Sequence, residues 1–342
     1  MPHGFSKMGE IRIKREDGPA VYHVTSRVIQ KRRLLLEGQR EVWVAALHRA
    51  AEFSGVEVIT YCVLETHFHI LVRIDPAARQ CDDATLVQRY RALYGASRAQ
   101  WSGLNADELA HALANDPPEV AEALRERLRR RMGDISEFMR TLRQRYTRWF
   151  NLAHGTAGTL WAERFGSVLV QDTPWLVGLI AAYIDLNAVR AGLTDLPENY
   201  RWCGYTEALA GKETLCRALA ACFPAAKDPA EALACYRLLM FGKGAGPKGD
   251  GSGARIDPEA LLEAVKNGGE LQPHELLRLR ARFLTEGRAL GSSDWLERGE
   301  GASILAQMKR PPPCRPVDVL DNVDLAVARS RAGYCALEDP RR

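Results

Sequence analysis

No apolar run in this 342-residue chain reaches the roughly 18 residues that a membrane-spanning helix needs. The first residues also lack the apolar core of a secretory signal, so an intracellular, soluble, cytoplasmic protein is expected. None of the eight cysteines (62, 81, 203, 216, 222, 235, 314 and 335) forms a C-x-x-C pair. That argues against a zinc ribbon, and the scatter reads as reduced thiols. Charge of either sign is nearly balanced. A net +4 and a pI near 8.6 are, taken alone, weak evidence for an anionic partner.

What is present is an ordinary soluble composition, 46% apolar and 26% charged, in a chain long enough for two or three domains. The positive charge is concentrated. From Leu124 to Asn151 there are nine arginines and no lysine, against Glu126, Asp134 and Glu137. Guanidinium forks match phosphate geometry, although a solvated helix face has the same composition.

Alternation over residues 20–28 predicts a strand with His23, Thr25 and Arg27 on one face. A helix over Gln39–Phe53, ending at Gly55, and strands over Val56–Leu64 and His67–Ile74 follow. An amphipathic helix spans Asp134–Asn151, with Tyr146, Trp149 and Phe150 on its apolar stripe, and Leu160–Val170 reads as a strand. The order β-α-β-β-α-β predicts an α+β, ferredoxin-like (RRM-like) antiparallel sheet with helices on one face. Residues 76–133 are too long for a loop and read as a helical insertion. Thr173-Pro174 opens a further helix that Gly192 ends. The expected division is a catalytic domain over 1–206, a helical segment with the Gly-rich linker Gly242–Gly253 over 207–253, and a C-terminal helical region, a candidate for DNA binding, over 254–342.

Two patterns carry chemistry. His67 and His69 alternate with Phe68 and Ile70, so both imidazoles leave one face of a strand. They are half of a metal site or a merely hydrogen-bonded pair. Tyr183 and Asn187, four residues apart, share a helix face. Taken alone, the pair reads first as a core tyrosine with a capped amide. If that helix crosses the sheet at the histidines, the set is two imidazoles, an amide oxygen and a phenol, suited to Mg²⁺ or Mn²⁺. Glu65 reads as a carboxylate orienting an imidazole or as an edge charge, and His23 as structural or facing the site. His48, His111, His154 and His274 read as surface residues.

These motifs together resemble the single-tyrosine HUH transposases of bacterial insertion sequences, most nearly their domesticated relatives, the REP-associated tyrosine transposases. The resemblance lies in Gly18-Pro19-Ala20-Val21-Tyr22-His23-Val24-Thr25-Ser26-Arg27, His67-Phe68-His69, Trp161-Ala162-Glu163-Arg164-Phe165-Gly166-Ser167 and Tyr183-Ile184-Asp185-Leu186-Asn187-Ala188-Val189-Arg190-Ala191-Gly192-Leu193. A weaker echo is Gly287-Arg288-Ala289-Leu290-Gly291-Ser292. It covers residues 18–75 and 134–206. Two departures stand out: Asp185, where the family has an uncharged or basic residue, and Ala188, where it has proline.

The resemblance implies a metal-dependent endonuclease and strand transferase acting on single-stranded DNA with hairpin repeats. Mg²⁺ or Mn²⁺ would be held by His67, His69 and Asn187, and Tyr183 would be the nucleophile that forms a 5′-phosphotyrosine link. Glu65 would support a ligand from behind. Arg27, Arg140, Arg143, Arg148 and Arg164 would contact DNA. Location would be the bacterial cytoplasm, at the nucleoid. Insertion-sequence relatives are dimers that exchange the catalytic helix, whereas repeat-associated ones can act as monomers in cis. The competing readings are a catalytically silent hairpin-binding regulator and an RNA-binding ferredoxin-like protein. The second lacks stacking aromatics on its central strands.

Overall fold

The computed structural model describes residues 12–99, 102–241, 280–281, 284, 287–308, 310–317, 324–329 and 337–338. The linker Gly242–Gly253, the expected helical unit after Ile256, and His274 lie outside them. The chain begins with β1 (Ala20–Arg27), α1 (Glu37–Ser54), β2 (Val56–Val63) and β3 (His67–Ile74). Gly55, at φ 62°, ends α1 where a side chain would be strained, and turns the chain straight into β2. Helices α2 (Asp83–Tyr94), α3 (Ala106–Asn115) and α4 (Pro118–Arg129) form the inserted unit. Their core of Leu86, Tyr90, Leu109 and Leu128 closes on Phe53 of α1.

Next come α5 (Ile135–His154) and β4 (Gly166–Val170). The sheet runs β2-β3-β1-β4, each pair antiparallel. The fourth strand is shorter than the predicted Leu160–Val170. Trp161 makes only an isolated bridge with Val28. Its indole packs against Phe68 and Tyr146, and its Nε1 donates to Thr147 Oγ1 at 2.9 Å. The apolar signal at Leu160 and Trp161 therefore records a buried loop anchor and not strand pairing.

Beyond β4 lie α6 (Pro174–Asp185), α7 (Asn187–Arg190), α8 (Gly204–Leu209), α9 (Glu213–Ala220) and α10 (Pro229–Phe241). A two-stranded sheet pairs β5 (Arg280–Ala281) with β9 (Leu337–Glu338). Much of the C-terminal region read as helical lies outside the described residues. Among its described residues only the short α11 (Ser293–Glu297) and α12 (Glu300–Ala306) are full helices. β6 (Ala289–Gly291), β7 (Cys314–Pro316) and β8 (Ala326–Ala328) extend the main sheet to seven strands, with β6 parallel to β4. Three-residue strands are too short to show a period of two in sequence. The Gly287–Ser292 motif builds β6 and, through the Ser292 hydroxyl, caps α11.

The two sheet faces have different coverings. Phe68 points toward α1 and α5, its ring 4.6 Å from Trp43 and 5.5 Å from Trp161. Tyr146 and Phe150 are buried there and Trp149 packs against them, which makes all three core aromatics. The opposite face, bearing Thr60, Cys62 and His69, lies under α6. Apolar residues surround α6, because it is sandwiched between the sheet and α10. At the edge, α8 presses so closely on β2 that a Cβ at Gly204 would lie 2.9 Å from the Thr60 Cα.

Asp185 locks this sandwich. Fully buried, it accepts from Thr60 Oγ1 at 2.7 Å, from the Tyr236 hydroxyl and from the Tyr205 amide at 3.3 Å. One carboxylate so joins β2, α8 and α10 to α6, which accounts for an acid in this motif. Burial pushes its carboxyl up to about 7, against the opposing pull of these hydrogen bonds. Asp185→Ala strands buried hydroxyls without an acceptor, and is expected to lower stability in urea unfolding by about 3 kcal/mol. Asp185→Asn, which keeps an acceptor oxygen, should cost clearly less.

Candidate active site

The site is assembled where the end of α6 crosses β1 and β3. In the register of these strands Thr25 pairs with His69 and Arg27 with His67, so all four side chains share a face with His23. His69 is buried, and its ring centroid lies 5.2 Å from that of His67 and 5.2 Å from that of His23. The pair seen in sequence is thus a row of three imidazoles, and His23, which the sequence left as either structural or site-facing, faces the site. Its Nε2 is 2.9 Å from His69 Nδ1, and its Nδ1 is 2.7 Å from the Leu284 carbonyl. His67 Nδ1 lies 2.9 Å from the Thr66 hydroxyl.

Tyr183 approaches from the helix side, with its ring edge-on to His23 at 6.5 Å. Asn187 follows one turn later, where α6 gives way to α7. Its Nδ2 donates to the carbonyls of Tyr183 (3.3 Å) and Ile184 (3.1 Å). Those bonds use the amide nitrogen and leave the oxygen as the half that a hard cation takes. The next residue fixes the helix over the histidines. The Ala188 backbone N–H lies against the thiol of Cys62, whose strand partner is His69. Proline at 188 could not make that contact.

Burial holds both His23 and His69 neutral, His23 down to about 4 and His69 well below the ordinary histidine value, with neighbouring imidazoles and Arg190 adding to the effect on His69. Neutral imidazoles are what a metal ion needs. Among the described residues no group of three or more His, Cys, Asp or Glu is arranged to hold a metal. Two imidazoles and an amide oxygen, those of His67, His69 and Asn187, are donor types that Mg²⁺ or Mn²⁺ would accept.

Sequence reasoning missed Arg190. Its guanidinium lies 3.9 Å from the centre of the Tyr183 ring and donates to the Tyr183 carbonyl. The signal was its spacing, seven residues from Tyr183 and three from Asn187 on one helical face. Two expectations need correcting. The Glu65 carboxylate is held by Arg33, which makes it an edge charge and not a support for an imidazole. His48 is half-buried and bonds Glu207 at 2.7 Å instead of lying free at the surface.

The arginines divide. Arg27 alone stands beside His67, exposed. Arg140, Arg143, Arg148 and Arg164 lie on the α5 side of the sheet, where with Arg12 they line a cavity of about 790 Å³. Arg12 lies 3.5 Å over the Phe165 ring and Arg143 lies 5.2 Å over Trp161. Arg143 also donates to the Glu163 carbonyl at 2.8 Å. Burial pulls both guanidiniums down to about 10, Arg12 with help from the nearby positive charges of Arg164 and Arg288. A groove with an aromatic floor and crowded cations favours an anion bearing flat rings.

No protein-family model matches the chain, and no curated protein matches it. Among solved structures it is similar to one described as a REP-associated tyrosine transposase bound to a REP hairpin. The identity is 14% and the TM-score 0.35, over 60% of this chain and 87% of that one. A likeness this distant carries no function across.

If His67 and His69 bind a cation, replacing either with alanine should abolish Mn²⁺ binding in titration calorimetry while circular dichroism and melting stay near wild type. Their side chains leave the face opposite Phe68 and Ile70, so the α1–α5 core is untouched.

Proposed function

We propose that this protein is a metal-dependent single-stranded DNA endonuclease and strand transferase, of the single-tyrosine transposase type, built on a ferredoxin-like core. The observation that carries the reading is the packing of α6 on β3, which sets the Tyr183 ring edge-on to His23 in a row of three imidazoles. Core tyrosines and sheet histidines are common separately, but a phenol beside an imidazole row, with Arg190 over its ring and Asn187 one turn on, is suited to phosphoryl transfer.

In this mechanism His67, His69 and the Asn187 oxygen would hold Mg²⁺ or Mn²⁺, and the chemistry that such an ion would supply is Lewis-acid polarisation of a phosphate. Arg27 and Arg190 bring the positive charge that balances a developing phosphorane. The Tyr183 oxygen attacks phosphorus as its hydroxyl proton passes to water. The phosphorus–O3′ bond breaks, and the departing oxygen takes up a proton to become a 3′-hydroxyl. The 5′-phosphate stays on Tyr183. Attack by another strand's 3′-hydroxyl reverses the step, so rejoining needs no ATP.

Substrate choice follows from the layout. A single strand can bend one phosphate between a helix and a sheet, where a stiff duplex cannot. The arginine groove on the other side of the sheet would hold a flanking hairpin and its unpaired bases. Incubation with a labelled hairpin-bearing single strand should give cleavage that needs Mn²⁺ or Mg²⁺, stops in EDTA and is absent from blunt duplex. Tyr183→Phe should lose cleavage and keep hairpin affinity. Full cleavage in EDTA, or by the phenylalanine variant, would refute the assignment. Hairpin binding without cleavage by the metal-loaded wild type would favour the silent regulator.

The groove has its own test. Arg140, Arg148 and Arg164 are exposed on its rim, whereas Arg143 is tied to the loop. Replacing the three rim residues with alanine should reduce the slope of log affinity against log salt by about 0.7 to 0.9 for each phosphate that is no longer neutralised. Mn²⁺ affinity should not change, because the metal ligands are on the other face.

A further inference from the structure

We propose that His23, backed by the main-chain carbonyl of Leu284, sets the tautomer of His69 and aims its Nε2 lone pair at the cation site. The inference rests on the reading of His67 and His69 as metal ligands, and assigns a positioning residue that lies outside that ligand set.

The tautomers follow from proton counting along a hydrogen-bonded row. A carbonyl oxygen only accepts, so the His23 nitrogen 2.7 Å from the Leu284 oxygen, Nδ1, must carry a proton. His23 is 1% exposed, and its ring nitrogens face that carbonyl and His69, neither of them an acid. A buried imidazole in such surroundings is neutral and has one N–H. Its Nε2 is then an acceptor, and the atom 2.9 Å away, His69 Nδ1, must be the donor. His69 is left with its proton on Nδ1 and a lone pair on Nε2. The opposite arrangement, with the proton on His69 Nε2, would leave two lone pairs facing each other at His23 and would block the metal.

A hydrogen bond to the distal nitrogen also fixes the ring plane and raises the basicity of the ligating nitrogen. The acceptor that starts the row comes from the C-terminal segment, 215 residues beyond His69 in numbering and packed with no exposure against the sheet. Residues before 206 therefore do not by themselves complete the support of the site. This also gives the C-terminal segment a role that helix or strand content alone would not indicate.

Two measurements on the full chain test this. Long-range proton–nitrogen correlation spectra of metal-free protein labelled at histidine nitrogen should show His23 and His69 both protonated at Nδ1 near neutral pH. In Mn²⁺ titrations followed by electron paramagnetic resonance, His23→Phe, which keeps ring volume but cannot accept, should bind about 10- to 100-fold more weakly than wild type. His23→Gln, whose amide can donate to Leu284 and accept from His69, should recover to within about threefold. A wild-type His69 protonated at Nε2, or a folded His23→Phe with wild-type Mn²⁺ affinity, overturns the proposal. If His23→Phe does not fold, the wild-type spectra and His23→Gln still decide. Wild-type protein that fails to bind Mn²⁺ would instead overturn the ligand reading itself, a result the metal-free spectra keep separate.

Discussion

The proposed chemistry needs Tyr183 on a helix that cannot roll or slide, and the constraint on that helix is a buried carboxylate. Asp185 ties α6 to β2, α8 and α10 through Thr60, Tyr205 and Tyr236. Tyr183 precedes it by two residues and Asn187 follows by two. An α-helix turns about 100° per residue, so Tyr183 and Asn187 share a face and Asp185 lies roughly 160° round from each. With Asp185 fixed away from the site, Tyr183 and Asn187 are fixed toward the histidines. The cost of burying an acid is met by three donors, and positional accuracy on the working face is the return.

The sheet separates two tasks. One face holds the imidazole row, the phenol and the amide in a poorly hydrated layer where charges interact strongly. The other packs α1 and α5 onto Phe68 and Trp161, and turns the outer surface of α5 into an arginine groove. On the proposed reading, binding and chemistry would be carried by residues that share a scaffold but not a surface, so that each could be altered with little effect on the other. Trp161 and Arg143 are the point of contact between these roles, since the indole is at once a core ring and the platform under a groove arginine.

Much of this was legible in the residues. Alternation at His67–Ile74 placed both imidazoles on one face, the four-residue spacing of Tyr183 and Asn187 placed them on one helical face, and Gly55 and Thr173 marked helix ends. Three things were not legible. Whether His23 reaches His69 depends on the diagonal contact between β1 and β3, which needs the pairing register. The strands after Gly287 are too short to carry a periodic signal and gain their stability from the edge of β4. Glu65 shared the correct parity but lies beyond the strand end, where Arg33 competes for it. Local periodicity reveals which face a residue takes, whereas partners distant in sequence decide what it does there.

The central claim is that Tyr183 becomes covalently attached to DNA, and mapping the attachment tests it most directly. Protein incubated with Mn²⁺ and a hairpin-bearing single strand would be denatured, digested with protease and nuclease, and sequenced by mass spectrometry. The account predicts one nucleotide-bearing peptide, modified through a 5′-phosphate on Tyr183, together with a released strand ending in a free 3′-hydroxyl. Linkage at any other side chain, or cleavage yielding a free 5′-phosphate with no modified peptide at any time point, would contradict it.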